Sequence, residues 1–210
     1  MTSEKRDFDA AAASWDEKPA RVKLAGEVAE AIIREVAPHR AMQAADFGCG
    51  TGLLSLRLQP LVASITGIDS SPGMLDILKA KVAEGKWTNV RTQLVDVEKG
   101  EALAGKYDLI TSSMTLHHIR EPQVLLQQLH VALVPGGILA IADLDPDGGL
   151  FHDDNTGVFH FGFERAAVRA MFAEAGFGDI RDSTATEIVK PAADGTTRGF
   201  SVFLVSGRKM

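Results

Sequence analysis

The chain lacks the features that would place it in a membrane or in a disulfide-bonded class. Only one of its 210 residues is a cysteine, so Cys49 has no partner for an internal disulfide. No segment reaches the roughly 18 consecutive apolar residues of a transmembrane helix. The polar start at residues 1–6 also lacks the apolar core of a secretory signal. These absences favour a cytoplasmic protein that has no membrane partner.

Long basic runs are also missing. The formal net charge is −6, which disfavours a nonspecific grip on nucleic acid phosphates and favours a small or neutral substrate. Hydrophobic residues make up 45% of the chain, enough to bury a core without disulfides or a metal. A single domain is therefore expected.

The most informative segment that is present is a glycine turn. Residues 45–52 follow a short apolar stretch and precede a helix-like run, which indicates a strand, a turn and a helix. The alternating glycines at 48, 50 and 52 remove Cβ atoms that would block a ligand, and the first N–H groups of a helix lack intrahelical partners. A second strand, residues 64–69, ends in Asp69, where nucleotide-type βαβ units carry a ribose-binding acid. Together these features predict a cofactor site for an anionic or nucleoside ligand.

The residues after the turn discriminate among cofactors. A dinucleotide fingerprint has glycine or alanine five residues after its first glycine, whereas this chain has Leu53. A phosphate-binding P-loop has Lys and then Ser or Thr after its last glycine, and Gly52 is followed by Leu53-Leu54. An NAD-dependent oxidoreductase stays an alternative, although Leu53 argues against it.

The glycine turn resembles the first motif of the class I S-adenosylmethionine-dependent methyltransferases of the small-molecule type, an acid-x-Gly-x-Gly-x-Gly pattern. Asp46 supplies the acid, and Asp69 matches the second acidic position. The resemblance covers about residues 41–205. It implies a doubly wound, Rossmann-like α/β fold with a seven-stranded, mostly parallel sheet in the order 3-2-1-4-5-7-6. It also implies S-adenosylmethionine as cofactor, S-adenosylhomocysteine as product and a small-molecule acceptor.

Alternating strand and helix signals along residues 42–144 independently indicate a parallel sheet with covering helices. Helices are predicted at about residues 21–36 and 163–175. Two β-prone runs, residues 180–189 and 199–206, are joined by the turn-rich residues 191–195 and suit an antiparallel pair. We expect an N-terminal lid or helical segment at residues 1–40 and a cofactor-binding domain at residues 41–210, in a single domain overall.

The resemblance also assigns cofactor contacts. It places the three glycines near the methionine part of the cofactor, Asp69 on the ribose hydroxyls and Asp96 on the adenine amino group; carboxylates suit these donors. Met74 is either an adenine contact or a core residue, and Cys49 is most simply a small buried filler. The full set of predicted cofactor residues is Trp15, Arg21, Asp46, Gly48, Cys49, Gly50, Gly52, Asp69, Ser70, Met74, Asp96, Val97, Ser112 and Ser113.

The N-terminal segment (Phe8–Asp16) resembles the lids of small-molecule methyltransferases, in which an aromatic residue covers the cofactor. Trp15 is the lid candidate; the alternative is a tryptophan packed on the sheet domain. Arg21 has the fork geometry that binds a cofactor carboxylate, and its alternative is a solvated helix face.

Histidines supply the catalytic candidates. His117 and His118 adjoin the predicted mouth, where an imidazole suits a general base, although one ring buried and hydrogen-bonded is the alternative. The late insert (residues 143–163) is too long for a simple turn, and such inserts usually carry function. His160 is a third catalytic candidate and, with Phe161 and Phe163, a predicted wall of the acceptor pocket.

Metal-assisted methylation is weighed for the late insert because several ligand-type side chains fall there. They are Asp143, Asp145, Asp147, His152, Asp153, Asp154 and His160. No tight ligand motif is present and carboxylates are common in solvated loops, so we assign no metal ligand.

Two functional hypotheses remain beside the oxidoreductase. The leading one is methyl transfer to a small molecule by in-line displacement, mainly through positioning. The other is a noncatalytic protein that keeps the cofactor pocket or serves as an interaction module, because a fold does not establish turnover. Residues 112–115 lack the Pro-Pro-aromatic pattern of amino-modifying relatives, which disfavours an exocyclic amine. The acceptor and the choice between monomer and homodimer stay open.

Overall fold

Seven strands form one sheet in the order β3-β2-β1-β4-β5-β7-β6 in the computed structural model, which describes residues 6–191 and 196–210. The strands are β1 (Gln43–Phe47), β2 (Ser64–Asp69), β3 (Val90–Leu94), β4 (Tyr107–Ser113), β5 (Leu133–Leu144), β6 (Phe177–Pro191) and β7 (Thr197–Lys209). The first five are parallel, and β7 is antiparallel to both β5 and β6. The predicted fold class and strand order are confirmed.

Within the described residues, six α-helices connect and cover these strands. They are α1 (Phe8–Ala11), α2 (Pro19–Val36), α3 (Ser55–Leu58), α4 (Pro72–Gly85), α5 (Pro122–Ala132) and α6 (Arg165–Glu174). Short 3-10 turns follow at Ala12–Glu17, Gln59–Leu61, Val97–Lys99 and Leu116–His118. Across the described ranges, none of the helices has both the length and the apolar character needed to cross a bilayer.

The sheet is buried on both faces because successive side chains of a strand point in opposite directions. Ala44 and Leu109 pack on one face with α2 and α4, whereas Ala45 and Ile110 pack on the other with α5 and α6. This two-sided burial explains the nearly continuous apolar runs of the central strands.

Several boundaries differ from the predictions. The helix predicted directly after the glycine turn is only the four-residue α3, because the turn continues to Leu54. The terminal strands are longer than predicted and pair as far as Pro191 and Thr197. Within the connector predicted at residues 191–195, residues 192–195 lie outside the described part of the chain.

The strand order positions the site. β1 pairs with β2 on one side and with β4 on the other, so the connections run in opposite directions from this point. In open α/β sheets, ligands bind at the carboxyl ends of the strands where the order reverses. The glycine turn, Asp69 and the end of β4 all lie at this edge.

Candidate functional site

A cavity of about 810 Å³ opens at the carboxyl edge of the sheet. This volume falls in the range of roughly 300–1,000 Å³ that is typical of small-molecule sites. Most of the predicted site residues line it: Trp15, Arg21, Asp46, Gly48, Cys49, Gly50, Asp69, Ser70, Met74, Asp96, Val97, Ser113, His117 and His118. The structure thus brings together residues that are spread over about half of the chain.

Three predicted residues do not belong to the cavity wall. Ser112 is buried in the sheet, where its hydroxyl donates to the Phe47 carbonyl at 2.9 Å. The Nε2 of His160 lies 2.9 Å from the Ile119 carbonyl oxygen, outside the cavity. Gly52 faces α4, since a Cβ there would lie 2.4 Å from Cδ1 of Leu78. These positions correct the predicted site.

Asp69 is held by backbone amides from two loops. Its Oδ2 accepts from the Gly50 N–H at 2.8 Å, and its Oδ1 accepts from the Ser71 N–H at 2.9 Å. A carboxylate oxygen accepts more than one hydrogen bond. The two amides therefore fix the orientation of the Asp69 side chain at the cavity, and the same carboxylate can also accept hydrogen bonds from a ligand.

The amides of the glycine turn bond within the protein. The N–H groups of Gly48 and Cys49 both donate to the Ile68 carbonyl, at 2.8 and 3.0 Å, and that of Gly50 donates to Asp69. Of the two predicted ligand types, anionic or nucleoside, these three internally bonded amides favour the nucleoside. The turn instead presents a carboxylate, which suits a ligand rich in hydrogen-bond donors.

Asp46 lies at the base of the cavity and is 1% exposed. Its Oδ2 accepts from the Ser55 hydroxyl at 2.5 Å, and its Oδ1 accepts from the Thr111 hydroxyl at 3.0 Å. Burial raises its pKa to about 6, with repulsion from Asp69 adding to the effect and the two hydroxyl bonds opposing it. Asp46 thus ties β1 to α3 and β4.

The predicted adenine contacts lie beside β3. Asp96 accepts from the Glu98 N–H at 3.1 Å and so caps the 3-10 turn Val97–Lys99. Met74 is 1% exposed, and its own N–H is capped by the Ser71 hydroxyl at 3.1 Å. Both side chains line the cavity, so the local capping bonds set their positions there.

Trp15 and Arg21 form one unit at the cavity. The Arg21 guanidinium lies 3.6 Å from the centroid of the Trp15 ring, and its Nη1 donates to the Trp15 carbonyl at 3.3 Å. Burial and repulsion from Arg6 lower the pKa of Arg21, which Asp16 partly offsets. The two predicted residues are therefore stacked against each other, and both face the cavity.

Two carboxylates attach the N-terminal segment to the sheet domain. Asp9 accepts from the Ser71 hydroxyl at 2.5 Å and from the Gly73 N–H at 2.7 Å. Asp16 accepts from the Thr51 hydroxyl at 2.6 Å and forms an ion pair with Lys81. Sequence reasoning missed these contacts. Their only signal in the sequence was one acidic residue before and one after the apolar residues 10–13.

The histidines form a cluster at the wall of the cavity. Nδ1 of His117 lies 2.7 Å from Oδ1 of Asp143, which is at the end of β5. Nε2 of His117 lies 3.1 Å from Nε2 of His152, in the late insert. Nδ1 of His118 lies 2.7 Å from the Gly157 carbonyl oxygen. His117 is thus the buried, hydrogen-bonded ring of the alternative interpretation, yet it also lines the cavity.

Burial controls the charge of this cluster. Desolvation, followed by repulsion from His117, lowers the pKa of His118 to about 4 and that of His152 to about 3. Burial alone would raise the pKa of Asp143, but attraction to His117 and hydrogen bonds from His117 and Leu144 hold it below its ordinary value. Near neutral pH the cluster therefore combines uncharged His118 and His152 rings with a buried carboxylate.

The late insert supplies one wall of the cavity, but through other residues than those predicted. Phe151, His152 and Phe159 line the cavity, whereas Phe161 is 50% exposed and Phe163 packs in the core. The path of the insert is set by backbone bonds, because the Phe159 N–H donates to the His117 carbonyl and the Phe163 N–H donates to the Leu144 carbonyl. These long-range bonds help to determine which side chains face the cavity.

The end of β4 adds two residues that sequence reasoning missed. Met114 has a φ of 55° and lines the cavity together with Thr115. A Cβ on Gly48 would lie 2.2 Å from Oγ1 of Thr115. Gly48 is therefore required for the close approach of the turn to this loop, and neither Met114 nor Thr115 was among the predicted site residues.

A sheet in this order, with a glycine turn and an acid at the switch point, defines the class of α/β proteins that bind a nucleoside cofactor. The family model of the methyltransferase domain matches residues 21–181, and the chain belongs to this family. S-adenosylmethionine is the cofactor, as predicted, and the alternative of an NAD-dependent oxidoreductase is rejected.

Similar proteins of known family support the assignment of this chain to the methyltransferase family. An uncharacterized methyltransferase of Schizosaccharomyces pombe is 32% identical over 149 residues, covering 64% of this chain and 52% of the relative. A ubiquinone biosynthesis O-methyltransferase of Coxiella burnetii is 34% identical over 100 residues, covering 48% of this chain and 42% of the relative. The chain spans about half the length of the curated relatives it matches.

A solved structure has the same fold. The S-adenosylmethionine-dependent methyltransferase of Aquifex aeolicus superimposes with a TM-score of 0.71 at 20% identity, covering 98% of this chain and 100% of that one. At this identity the likeness concerns the fold alone.

We expect Gly52→Ala to destabilise the protein more than Gly50→Ala. Both glycines have a positive φ, so each alanine costs about 1–2 kcal/mol of backbone strain. At Gly52 the methyl also meets Leu78, which adds about 1–3 kcal/mol, whereas the nearest atom at Gly50 is Sδ of Met74 at 3.8 Å. Urea unfolding of both variants measures the difference. Adding Leu78→Ala to Gly52→Ala gives a less than additive loss, and equal losses for the two glycines would contradict the clash.

Asp46→Asn tests the buried carboxylate. Because the folded-state pKa is raised, the native protein binds a proton between about pH 4 and pH 6 that the unfolded chain does not bind, and stability from this group falls as pH rises through that window. The free energy of unfolding, wild type minus variant, should decrease by about 3 kcal/mol from pH 4 to pH 7. Denaturant titrations across this range measure it. A pH-independent difference would show that Asp46 keeps its ordinary pKa.

Proposed function

We propose that the protein transfers the methyl group of S-adenosylmethionine to the oxygen of a small acceptor. The attacking oxygen forms a bond to the methyl carbon as the S–CH3 bond breaks, leaving S-adenosylhomocysteine, and the acceptor proton passes to a base or to solvent. The observation that carries this proposal is the carboxylate of Asp69, oriented by Gly50 and Ser71 at the edge of the cavity. Such an acid suits the ribose hydroxyls of the cofactor.

With the ribose of the cofactor at Asp69, the remaining cofactor contacts follow from the positions of the other cavity residues. Asp96 accepts from the adenine amino group, with Val97 and Met74 against the ring, while the glycine turn approaches the methionine part. Arg21 binds the carboxylate of the cofactor through its guanidinium fork. Ser70 and Ser113, which line the cavity, stand beside these contacts.

The N-terminal segment acts as the lid. Trp15 covers the cofactor while stacked on Arg21, and the Asp9 and Asp16 bonds hold the segment against α4 and the glycine turn. Methyl transfer needs an attacking atom aligned with the S–CH3 bond in a site without water. A closed lid supplies both conditions without a specialised acid.

The acceptor occupies the part of the cavity lined by the histidines, Phe151 and Phe159. Its aromatic wall favours a small molecule with an apolar body, and the ubiquinone biosynthesis O-methyltransferase among the relatives favours oxygen as the attacking atom. General-base catalysis by His117 or His118 stays a prediction. His160 leaves the set of candidates because it lies outside the cavity.

Calorimetry followed by an acceptor screen tests the proposal. We expect the purified protein to bind S-adenosylmethionine and S-adenosylhomocysteine, and to release the latter in the presence of small phenols, catechols or hydroxyquinones. Matched aromatic amines serve as the comparison. Binding without turnover on any acceptor would favour the noncatalytic alternative, and a folded protein that ignores both nucleosides would overturn the proposal.

Asp69→Ala should weaken cofactor binding while the protein stays folded. Losing hydrogen bonds to a charged acceptor costs about 1.5–3 kcal/mol, so the Kd for S-adenosylhomocysteine should rise about 10- to 100-fold. Asp76→Ala, an exposed acid on α4, is the matched control with unchanged Kd. Calorimetry on both variants, after urea unfolding confirms the fold, decides the role of Asp69. An unchanged Kd in Asp69→Ala would contradict the proposed contact between Asp69 and the ribose.

Asp16→Ala should loosen the lid. The change removes the Thr51 hydrogen bond and the Lys81 ion pair. The backbone amides of the N-terminal segment should therefore show faster hydrogen–deuterium exchange. Cofactor binding should weaken about two- to tenfold, in line with the loss of about 1 kcal/mol. Glu17→Ala, an exposed acid of the same turn, is the control. Equal exchange in the two variants would show that Asp16 does not hold the segment.

A further inference from the structure

We propose that His117, His118 and His152 form a binding site for one divalent transition-metal ion, of which Zn²⁺ is the representative. His117 and His118 belong to the turn after β4, and His152 belongs to the late insert. One ring nitrogen from each histidine lies within 4.8 Å of the others. Three side chains that offer only nitrogen ligands therefore converge from two separate segments.

The spacing of the nitrogens suits a shared ion. With Zn–N distances of about 2.0–2.1 Å, two imidazole nitrogens on one tetrahedral zinc lie about 3.3 Å apart. Nε2 of His117 and Nε2 of His152 are 3.1 Å apart. The His118 nitrogen lies within 4.8 Å of these two, so its ring must move towards them to complete the site. Two of the three ligands are thus already at the spacing that a shared ion requires.

Outer partners already orient two of the rings. Asp143 accepts from Nδ1 of His117 at 2.7 Å, and the Gly157 carbonyl accepts from Nδ1 of His118 at 2.7 Å. Metal-binding histidines almost always donate their second ring nitrogen to a carboxylate or a backbone carbonyl, which fixes the tautomer and the direction of the ligand. In both residues this leaves Nε2 as the nitrogen for a metal.

A chain of hydrogen bonds is the competing interpretation. Without an ion, the His152 N–H would donate to His117, which in turn donates to Asp143. That chain explains the 3.1 Å contact between His117 and His152. It does not explain why His118 converges on the same point with its Nδ1 held by a backbone carbonyl.

The type of ligand selects the ion. Imidazoles suit Zn, Cu, Fe and Ni, whereas Mg²⁺ and Ca²⁺ need oxygen ligands, which the three histidines do not provide. The three histidines line the cavity, so a coordination position is available on that side. Three protein ligands with an open fourth position are the arrangement of catalytic rather than structural zinc.

The consequence for catalysis rests on the proposed function. An acceptor hydroxyl at the open position would lose its proton to solvent more readily, because a bound cation lowers its pKa. The resulting oxygen attacks the methyl carbon as the S–CH3 bond breaks, and the metal keeps its oxidation state. His117 would then act as a metal ligand instead of a general base.

Cobalt titration of tag-free protein tests the site. We expect one Co²⁺ per chain, visible absorption typical of a tetrahedral nitrogen-rich site, and displacement by Zn²⁺. His152→Ala and, separately, His118→Ala should lower the affinity by more than about a hundredfold, since losing a ligand exceeds the roughly 10–100-fold cost of losing an outer partner. His39→Ala removes an exposed histidine far from the cluster in sequence and should bind cobalt as the wild type does.

The outcomes separate this inference from the proposed function. Circular dichroism confirms that each variant is folded, and calorimetry with S-adenosylhomocysteine is run on the same wild-type sample. Nucleoside binding with cobalt affinity no higher than that of His152→Ala overturns the metal site and leaves the proposed function. Cobalt binding without nucleoside binding overturns the proposed function and its acceptor step, and supports the metal site alone.

Discussion

The bond between the Gly50 amide and the Asp69 carboxylate joins the two loops on which the cavity is built. β1 and β2 are adjacent and parallel, so the loops that follow them leave the sheet side by side. The Ile68 carbonyl reinforces the junction by accepting from the amides of Gly48 and Cys49. Because these amides are used within the protein, the cavity presents acceptors at this edge. A nucleoside rich in hydroxyl and amino donors is favoured over a phosphate.

Electrostatics at the opposite wall complement this arrangement. Burial keeps His118 and His152 uncharged near neutral pH by lowering the pKa of the first to about 4 and that of the second to about 3. The same burial leaves their lone pairs available, either to an acceptor proton or to a metal ion. Asp143 contributes a negative charge at this wall, because its contacts with His117 lower its pKa and favour the ionised carboxylate.

Neighbouring residues in the chain show how far local reasoning reaches. Ser112 and Ser113 occupy the same predicted strand end, yet only Ser113 reaches the cavity, because adjacent side chains of a strand point to opposite faces. In the late insert, Phe159 lines the cavity whereas Phe161 is exposed. Such choices depend on the face of the sheet and on the path of a loop, which composition and spacing do not encode.

Local patterns were sufficient for the alternating strands and helices, the glycine turn and the acid after β2, because each involves residues close together in the chain. The class of cofactor followed from these features through family resemblance. Folding alone created the contacts that join distant segments: Asp16 with Thr51, and His117 with both Asp143 and His152. The path of the N-terminal segment and of the late insert decides these contacts. That path is set by long-range packing and backbone hydrogen bonds, which no short window of residues contains.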